Sequence, residues 1–402
     1  MVIKNNLFRI SGKIQHYQWG GYHFIPSLLH LVNEENKPFA EYWLGAHDNA
    51  PAQLATESGI TLNAYIQQHP EVLGAQVSSR FKRLPYLLKV LDVHDMLSIQ
   101  VHPSKDAAVS EYARENNAGI PLAAGHRNYK DDNHKPELMV ALSDFWLLHG
   151  FKPEAAILET IGLVPEFDFM LPLFREGGYK KLYGVLMEME QDDVNRILQP
   201  LLERIVAAYD TDYLKKESPH FWAARAALTF NTPDRIDRGI FSVYLLNLVH
   251  LKEGEAIFQE AGVLHAYLEG QNMEIMANSD NVLRGGLTPK HIDVKELMKH
   301  VDFNATNPAI IKGEDIGDGE EVFQSPAPDF RLSRFTPKGH AIYLIHLTTT
   351  DIFLAMEGTV LMKSGGTALL LKAGEAAVGF VGSEVELAFP DGGVLYRASA
   401  GI

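Results

Sequence analysis

Cysteine is absent from this chain of 402 residues. Disulfides, thiolate metal sites and a cysteine nucleophile are thereby excluded, and any bound metal must take imidazole, carboxylate or amide ligands. Long apolar runs are also missing, none approaching the roughly 18–20 residues that a membrane-spanning helix needs. The start, Met1 to Lys13, has neither a long apolar core nor a small-residue cleavage site. The cytoplasm is the expected location. Cations are in deficit, with 36 Lys and Arg against 51 Asp and Glu and a net charge of −15. Nucleic acid and anionic membranes need a cationic footprint, so neither is an expected partner. A small anion is not excluded, because a few local cations hold one phosphate whatever the net charge. The acidic balance favours solubility and leaves assembly undecided between a monomer and a weak homo-oligomer. No fixed-period repeat or low-complexity tract is present.

What is present has an ordinary globular balance, 46% hydrophobic and 22% charged, at a length that suggests two or three domains. Three textures follow one another. Up to about residue 150 the chain is turn-rich, with strand-length apolar runs at Leu84 to Val93 and Leu97 to Val101. Within it, Ser104 can cap a short helix to Asn116, with Ala107, Ala108, Tyr112 and Ala113 at helical spacing. From about 153 to 235 the period becomes helical. Glu154 to Ile161 and Tyr179 to Met189 read as helices. Asp193 can cap another carrying the stripe Val194, Ile197, Leu198, Leu201, Leu202 and Ile205. Pro200 within it should kink or split it. From about 238 the texture is β again, with Ile342 to Thr348, Ile352 to Met356 and Thr359 to Met362, the last two separated by a turn at Glu357-Gly358. Asp391-Gly392-Gly393 reads as a turn before Val394-Leu395-Tyr396. Many short strands with glycine-rich turns favour a sandwich or barrel. The expected fold is mainly β with an α-helical insertion.

Four clusters carry chemistry. In a strand, residues two apart share a face, so Ser98, Gln100 and His102 would lie opposite Ile99 and Val101. Such a stripe lines a cavity or faces solvent. Asn133-His134-Lys135-Pro136-Glu137 combines base, cation and carboxylate ahead of an apolar run, and reads equally as a polar loop. Gly254 to His265 resembles the second motif of a cupin barrel: Gly, five residues, usually Pro, one residue, Gly, two residues, then a metal-binding His. Glu260 stands at the Pro position. Gln100, His102 and Glu137 fit the order of the first cupin motif, with residues 103–133 as an insertion. The fourth cluster, Asn272 to Lys290, holds Glu274, Asp280, Arg284, Gly285-Gly286 and Lys290.

With Tyr17-Gln18-Trp19-Gly20 and Glu41-Tyr42-Trp43-Leu44-Gly45-Ala46-His47, these clusters make the whole chain resemble the type I mannose-6-phosphate isomerases, cupin-superfamily enzymes. Ser279 to Lys290 is the most family-specific stretch. The resemblance implies one zinc ion per chain, held by Gln100, His102, Glu137 and His265, with Arg284 as the catalytic arginine. It implies interconversion of mannose 6-phosphate and fructose 6-phosphate, a sugar phosphate being the small-molecule partner. It further implies two cupin-like β-barrel or jelly-roll domains plus a helical one. The division expected is a catalytic domain of 1–150 with 238–310, a helical domain of 151–237, and a C-terminal domain of 311–402. The last lacks a His pair and Glu at motif spacing and should bind no metal.

Aldose–ketose isomerisation moves a proton between C1 and C2, and so needs a base, oxyanion stabilisation and proton transfer between two oxygens. One amide, two imidazoles and one carboxylate around a divalent cation leave a net positive centre that can draw an oxygen lone pair. Arg284 remains charged and presents a planar fork of donors. Lys135, His134, Glu274 and Lys290 are rival candidates for proton transfer. Ser98, Lys89, Lys135 and Lys290 are candidates for phosphate contact. Tyr267, two residues beyond His265, should line the cavity, whereas Trp19 and Trp43 are expected in the core. A cupin iron oxygenase, a non-catalytic sugar-phosphate-binding protein and an isomerase of another sugar phosphate are the competing readings.

Overall fold

The computed structural model describes residues 6–317 and 319–402. Residues 1–5, the beginning of the stretch read for a leader, lie outside the described residues. The described residues form two antiparallel sheets of 11 strands each, joined by helices. The mainly β character with inserted helices is as expected.

The strand His265–Ala277 organises the first sheet. It pairs with Tyr86–Val93, Glu137–Ala141, Phe145–Phe151 and Ile99–Val101. Glu41–Gly45 adds beside Tyr86–Val93, and Leu283–Gly286 beside Ile99–Val101. These strands read as nearly continuous apolar runs because both faces are covered. One parity, with Leu88, Val90, Leu138, Val140, Met273 and Ile275, packs against Leu332, Ile352, Leu354, Val378 and Ala398 of the second sheet. The other parity holds Leu91, Val93, Met139, Ala141, Leu147, Ile257 and Tyr267 in a separate core. Each such side chain contributes about 1.5–3 kcal/mol by leaving water. The two-residue period therefore fixes a direction for Glu41, Lys89, Glu137 and Glu274. All four have the second parity and are turned away from the neighbouring sheet.

The second sheet runs Glu314–Asp315, Glu320–Phe323, Arg331–Phe335, Gly393–Ser399, Asp351–Ser364, Ala376–Gly379, Leu7–Ser11, Gln53–Leu54. The N-terminal strand Leu7–Ser11 thus lies in a sheet built mostly from the C-terminal third, paired with Ala376–Gly379. The turn expected at Glu357-Gly358 is instead an irregularity inside one strand, Asp351–Ser364, where the register to Gly393–Ser399 shifts. Met356 is the extra residue, left unpaired between Ala355 and Glu357, and Gly358, with φ of 72°, regains the register opposite Gly393, so the strand bends without reversing.

Helices Glu154–Leu163, Met170–Glu188, Gln191–Asp210, Pro219–Phe230 and Gly239–Leu245 follow strand Phe145–Phe151. The second breaks its helical dihedrals at Gly177 and Gly178. Of the predicted stripe, Val194, Leu198, Leu201, Leu202 and Ile205 are buried and Ile197 is half-buried. Asp193, however, lies in the first turn rather than at the cap, because the helix begins two residues earlier. The helix also runs through Pro200 as one element. Burying five aliphatic side chains outweighs the roughly 3 kcal/mol that an interior proline costs. The predicted short helix is present at Lys105–Asn117, and the Ser104 hydroxyl accepts from the Ala107 amide at 3.3 Å. Among the described residues no helix is long and apolar enough to cross a membrane.

Candidate active site

Three strand ends converge on one buried point. His102 follows Ile99–Val101, Glu137 opens Glu137–Ala141, and His265 opens the long central strand. Gly262, at φ of 85°, makes the turn that delivers His265, a conformation that L side chains avoid. His102 Nδ1 lies 2.9 Å from the Asn281 carbonyl oxygen and His265 Nδ1 lies 2.9 Å from that of Val263. A carbonyl only accepts, so each Nδ1 carries a proton, and in the neutral ring the Nε2 keeps its lone pair. Those Nε2 atoms lie 3.4 Å from different oxygens of Glu137. With both protons held at Nδ1, neither approach is a hydrogen bond. His102 Nε2, His265 Nε2 and Glu137 Oε2 are buried without a hydrogen-bond partner. Leaving such groups unsatisfied costs about 1–3 kcal/mol each. The potential ligand atoms of the three residues lie within 4.8 Å of one another. This donor set fits a divalent cation: two imidazoles locked with lone pairs inward and a carboxylate between them.

Protonation agrees. Burial pushes His102 down to about 4, and the neighbouring Lys135 acts in the same direction. Burial alone would raise Glu137, but the Lys135 ammonium outweighs it and holds the carboxyl well below its usual range. A neutral His102 imidazole beside an ionised Glu137 carboxylate is the form that binds a metal. Lys135 Nζ donates to Glu137 Oε1 at 2.5 Å.

The cluster backs a cavity of about 650 Å³. Gln100 lines it, placed by register directly beside His265. Ser98, Lys89, Lys135, Glu137, Tyr267, Glu274, Arg284 and Lys290 line it too. His134 does not. Its Nε2 lies 2.9 Å from the buried Asp329 Oδ2, so it ties the loop to the C-terminal third. That contact removes His134 from the proton-transfer candidates. Trp19 and Trp43 are wall rather than plain core, since both line the cavity. Trp43 Nε1 donates to Glu41, and the Lys89 ammonium stands 4.9 Å from the Trp43 ring centre.

Lys89 is buried. Its Nζ donates to Glu274 Oε1 at 3.1 Å and lies 3.8 Å from Glu41. Burial would lower its pKa, but Glu41, Glu274 and Glu137 together raise it, so the ammonium persists. Glu274 moves the opposite way for a carboxylate charge: burial, reinforced by Glu137 and Glu41, raises its pKa despite Lys89. Tyr267 OH donates to Glu274 Oε2 at 3.0 Å. Arg284 also lines the cavity, on strand Leu283–Gly286 opposite Gln100. Among the described residues no carboxylate pairs with Arg284 or Lys290, and burial lowers the pKa of both.

Sequence reasoning assigned no role to Glu41, His47, Asp280, His149 or Gln259. Glu41 and Asp280 line the cavity, and His47 Nε2 contacts Asp280 at 3.3 Å. His149 Nδ1 lies 2.7 Å from Gln259 Oε1 behind His265 and Glu137. For Glu41 the signal was the two-residue step to Trp43, but no local pattern marks His149 and Gln259.

Residues 7–154 match the family described as phosphomannose isomerase type I, catalytic domain. Mannose-6-phosphate isomerase of Salmonella typhimurium is 34% identical over 388 residues, spanning 94% of this chain and 95% of the relative. The chain belongs to the type I mannose-6-phosphate isomerase family. The Escherichia coli member is 34% identical over 377 residues, covering 92% and 93%. A solved Salmonella typhimurium mannose 6-phosphate isomerase, bound to fructose 6-phosphate and zinc, superposes with a TM-score of 0.87 at 33% identity. The match spans 99% of this chain and all of that one, as does a zinc-bound family structure with a TM-score of 0.88.

Proposed function

We propose that this enzyme interconverts D-mannose 6-phosphate and D-fructose 6-phosphate through an enediol, with one zinc ion per chain. The observation that carries the reading is the set of three orphaned ligand atoms of His102, Glu137 and His265, beside a cavity that Glu137 lines together with Arg284, which has no carboxylate partner among the described residues. The zinc relatives support the choice of metal.

His102, Glu137, His265 and Gln100 would hold the zinc. When bound, it supplies Lewis-acid polarisation of a substrate oxygen. Glu274 suits the base that takes the C2 proton and returns it to C1. Its raised pKa brings it toward the working pH, and Tyr267 and Lys89 fix its carboxylate. Lys89 stays charged and so serves as a fixed cation beside Glu274. Arg284 offers its guanidinium to the enediolate, and Lys290, which lines the same cavity, receives the phosphate. Lys135 holds Glu137 ionised, and Ser98 adds a hydroxyl to the wall.

We read the sheet around His265 as a cupin barrel of residues 1–150 with 238–310, lending Leu7–Ser11 to the other sheet. Residues 151–237 form the helical domain and 311–402 a second cupin-like domain. Among the described residues the metal-type cluster lies in the first.

The test is a coupled assay of fructose 6-phosphate formation on chelator-stripped protein, with and without added zinc. Activity lost on stripping and restored by zinc is expected. Inactivity in both states would reject the isomerase and favour a binding protein, whereas oxygen uptake with iron would favour an oxygenase.

A further inference from the structure

Asp237 sits at the foot of the loop that carries Lys290 and is fully buried. Its Oδ1 accepts from the amides of Gly239 and Leu287, both at 2.8 Å. Its Oδ2 accepts from the Thr288 amide at 3.2 Å. Leu287 has φ of 52°, a left-handed conformation that a non-glycine residue keeps only where its surroundings hold it. Gly286 packs so closely on Gly239 that a Cβ there would lie 2.4 Å from the Gly239 Cα. Asp237 itself is fixed, because its amide donates to Asn231 Oδ1 at 2.9 Å. One buried carboxylate thus clasps the successive amides of Leu287 and Thr288, where the chain enters the cavity wall with Thr288, Pro289 and Lys290. Arg284 is held separately by its ladder to Gln100.

We infer that Asp237 is a positioning residue that sets the Thr288–Lys290 stretch for the substrate phosphate. This rests on the assignment of Lys290 to phosphate. Because Arg284 is anchored elsewhere, loosening the stretch should weaken phosphate binding more than turnover.

The experiment uses the zinc-loaded chain with Asp237→Asn, which keeps size but turns an amide donor toward a backbone donor. In the variant, inorganic phosphate measured by calorimetry, and KM for mannose 6-phosphate, should each weaken about tenfold, as expected for a lost charge-assisted hydrogen bond. The kcat should stay within about threefold. In a Lys290→Ala background the same change should leave phosphate affinity nearly unaltered, whereas a general structural defect would persist there. Phosphate affinity within about twofold of the parent, with only a lowered Tm, overturns the inference. Should Asp237→Asn not fold, Asp237→Glu, which keeps the charge on a longer arm, is read the same way. Phosphate binding needs no turnover. A parent chain that fails to isomerise therefore sinks the proposed reaction and still reports on Asp237.

Discussion

Lys89 and Glu274 are register partners on adjacent strands, and their side chains meet with Nζ 3.1 Å from Oε1, both almost wholly buried. Lys89→Met would leave Glu274 and Glu41 as buried carboxylates without their cation. Destabilisation of about 3–5 kcal/mol is expected from such a broken pair. Adding Glu274→Leu should recover part of it. Urea unfolding of the single and double variants checks this, and purely additive losses would show that the pair is uncoupled.

His265→Ala should lose metal and activity together. The ring supplies one of three ligand atoms that converge on a single point. Its removal should lower zinc content well below one equivalent after dialysis. A variant that keeps stoichiometric zinc would show that the ion is held elsewhere.

Arg284→Ala should behave differently. Arg284 lines the cavity with no carboxylate partner among the described residues, so its charge is free for substrate. A fall in kcat of about 10²–10³ is expected, typical of losing one preorganised donor to a developing oxyanion. Zinc content should not change. Parent-like turnover would end the assignment.

Lys152 offers a stability test away from the site. Burial pushes its pKa down to about 8. Between that value and the ordinary 10.5 the unfolded chain binds the extra proton, so this group makes stability rise with pH across that window. Below the window the cost of burying the charge is fully present. Lys152→Met should therefore stabilise the protein at pH 7 and flatten the rise above pH 8. Urea midpoints of both proteins at pH 7 and pH 10 decide it, and parallel curves would rule it out.

Much of the local structure was legible because it depends on neighbours in sequence. Ser104 capped its predicted helix, and the Val194 to Ile205 stripe was buried at its predicted spacing. The errors came where tertiary contacts override local rules. Pro200 did not break its helix, because the buried stripe on both sides of it outweighs the lost hydrogen bond. Glu357-Gly358 did not reverse the chain, because both halves of Asp351–Ser364 find partners in one sheet. His134 and Lys135 are adjacent, yet one pairs with Asp329 and the other with Glu137. Both lie in the loop before Glu137–Ala141, and only the tertiary fold brings Asp329 to one and turns the other toward Glu137.

The sequence by itself determined the chemistry available: no thiol ligands, and a run of His, Gln, Glu and Arg at family spacing. It also determined that alternate strand residues would share a face. Tertiary structure alone decided which face became the cavity, since that depends on which parity the second sheet covers. It also decided the neighbours of each ionisable group. Lys89 is a permanent cation only because Glu41 and Glu274 arrive from strands distant in sequence. Charge interactions act through space, and nothing in local spacing records them.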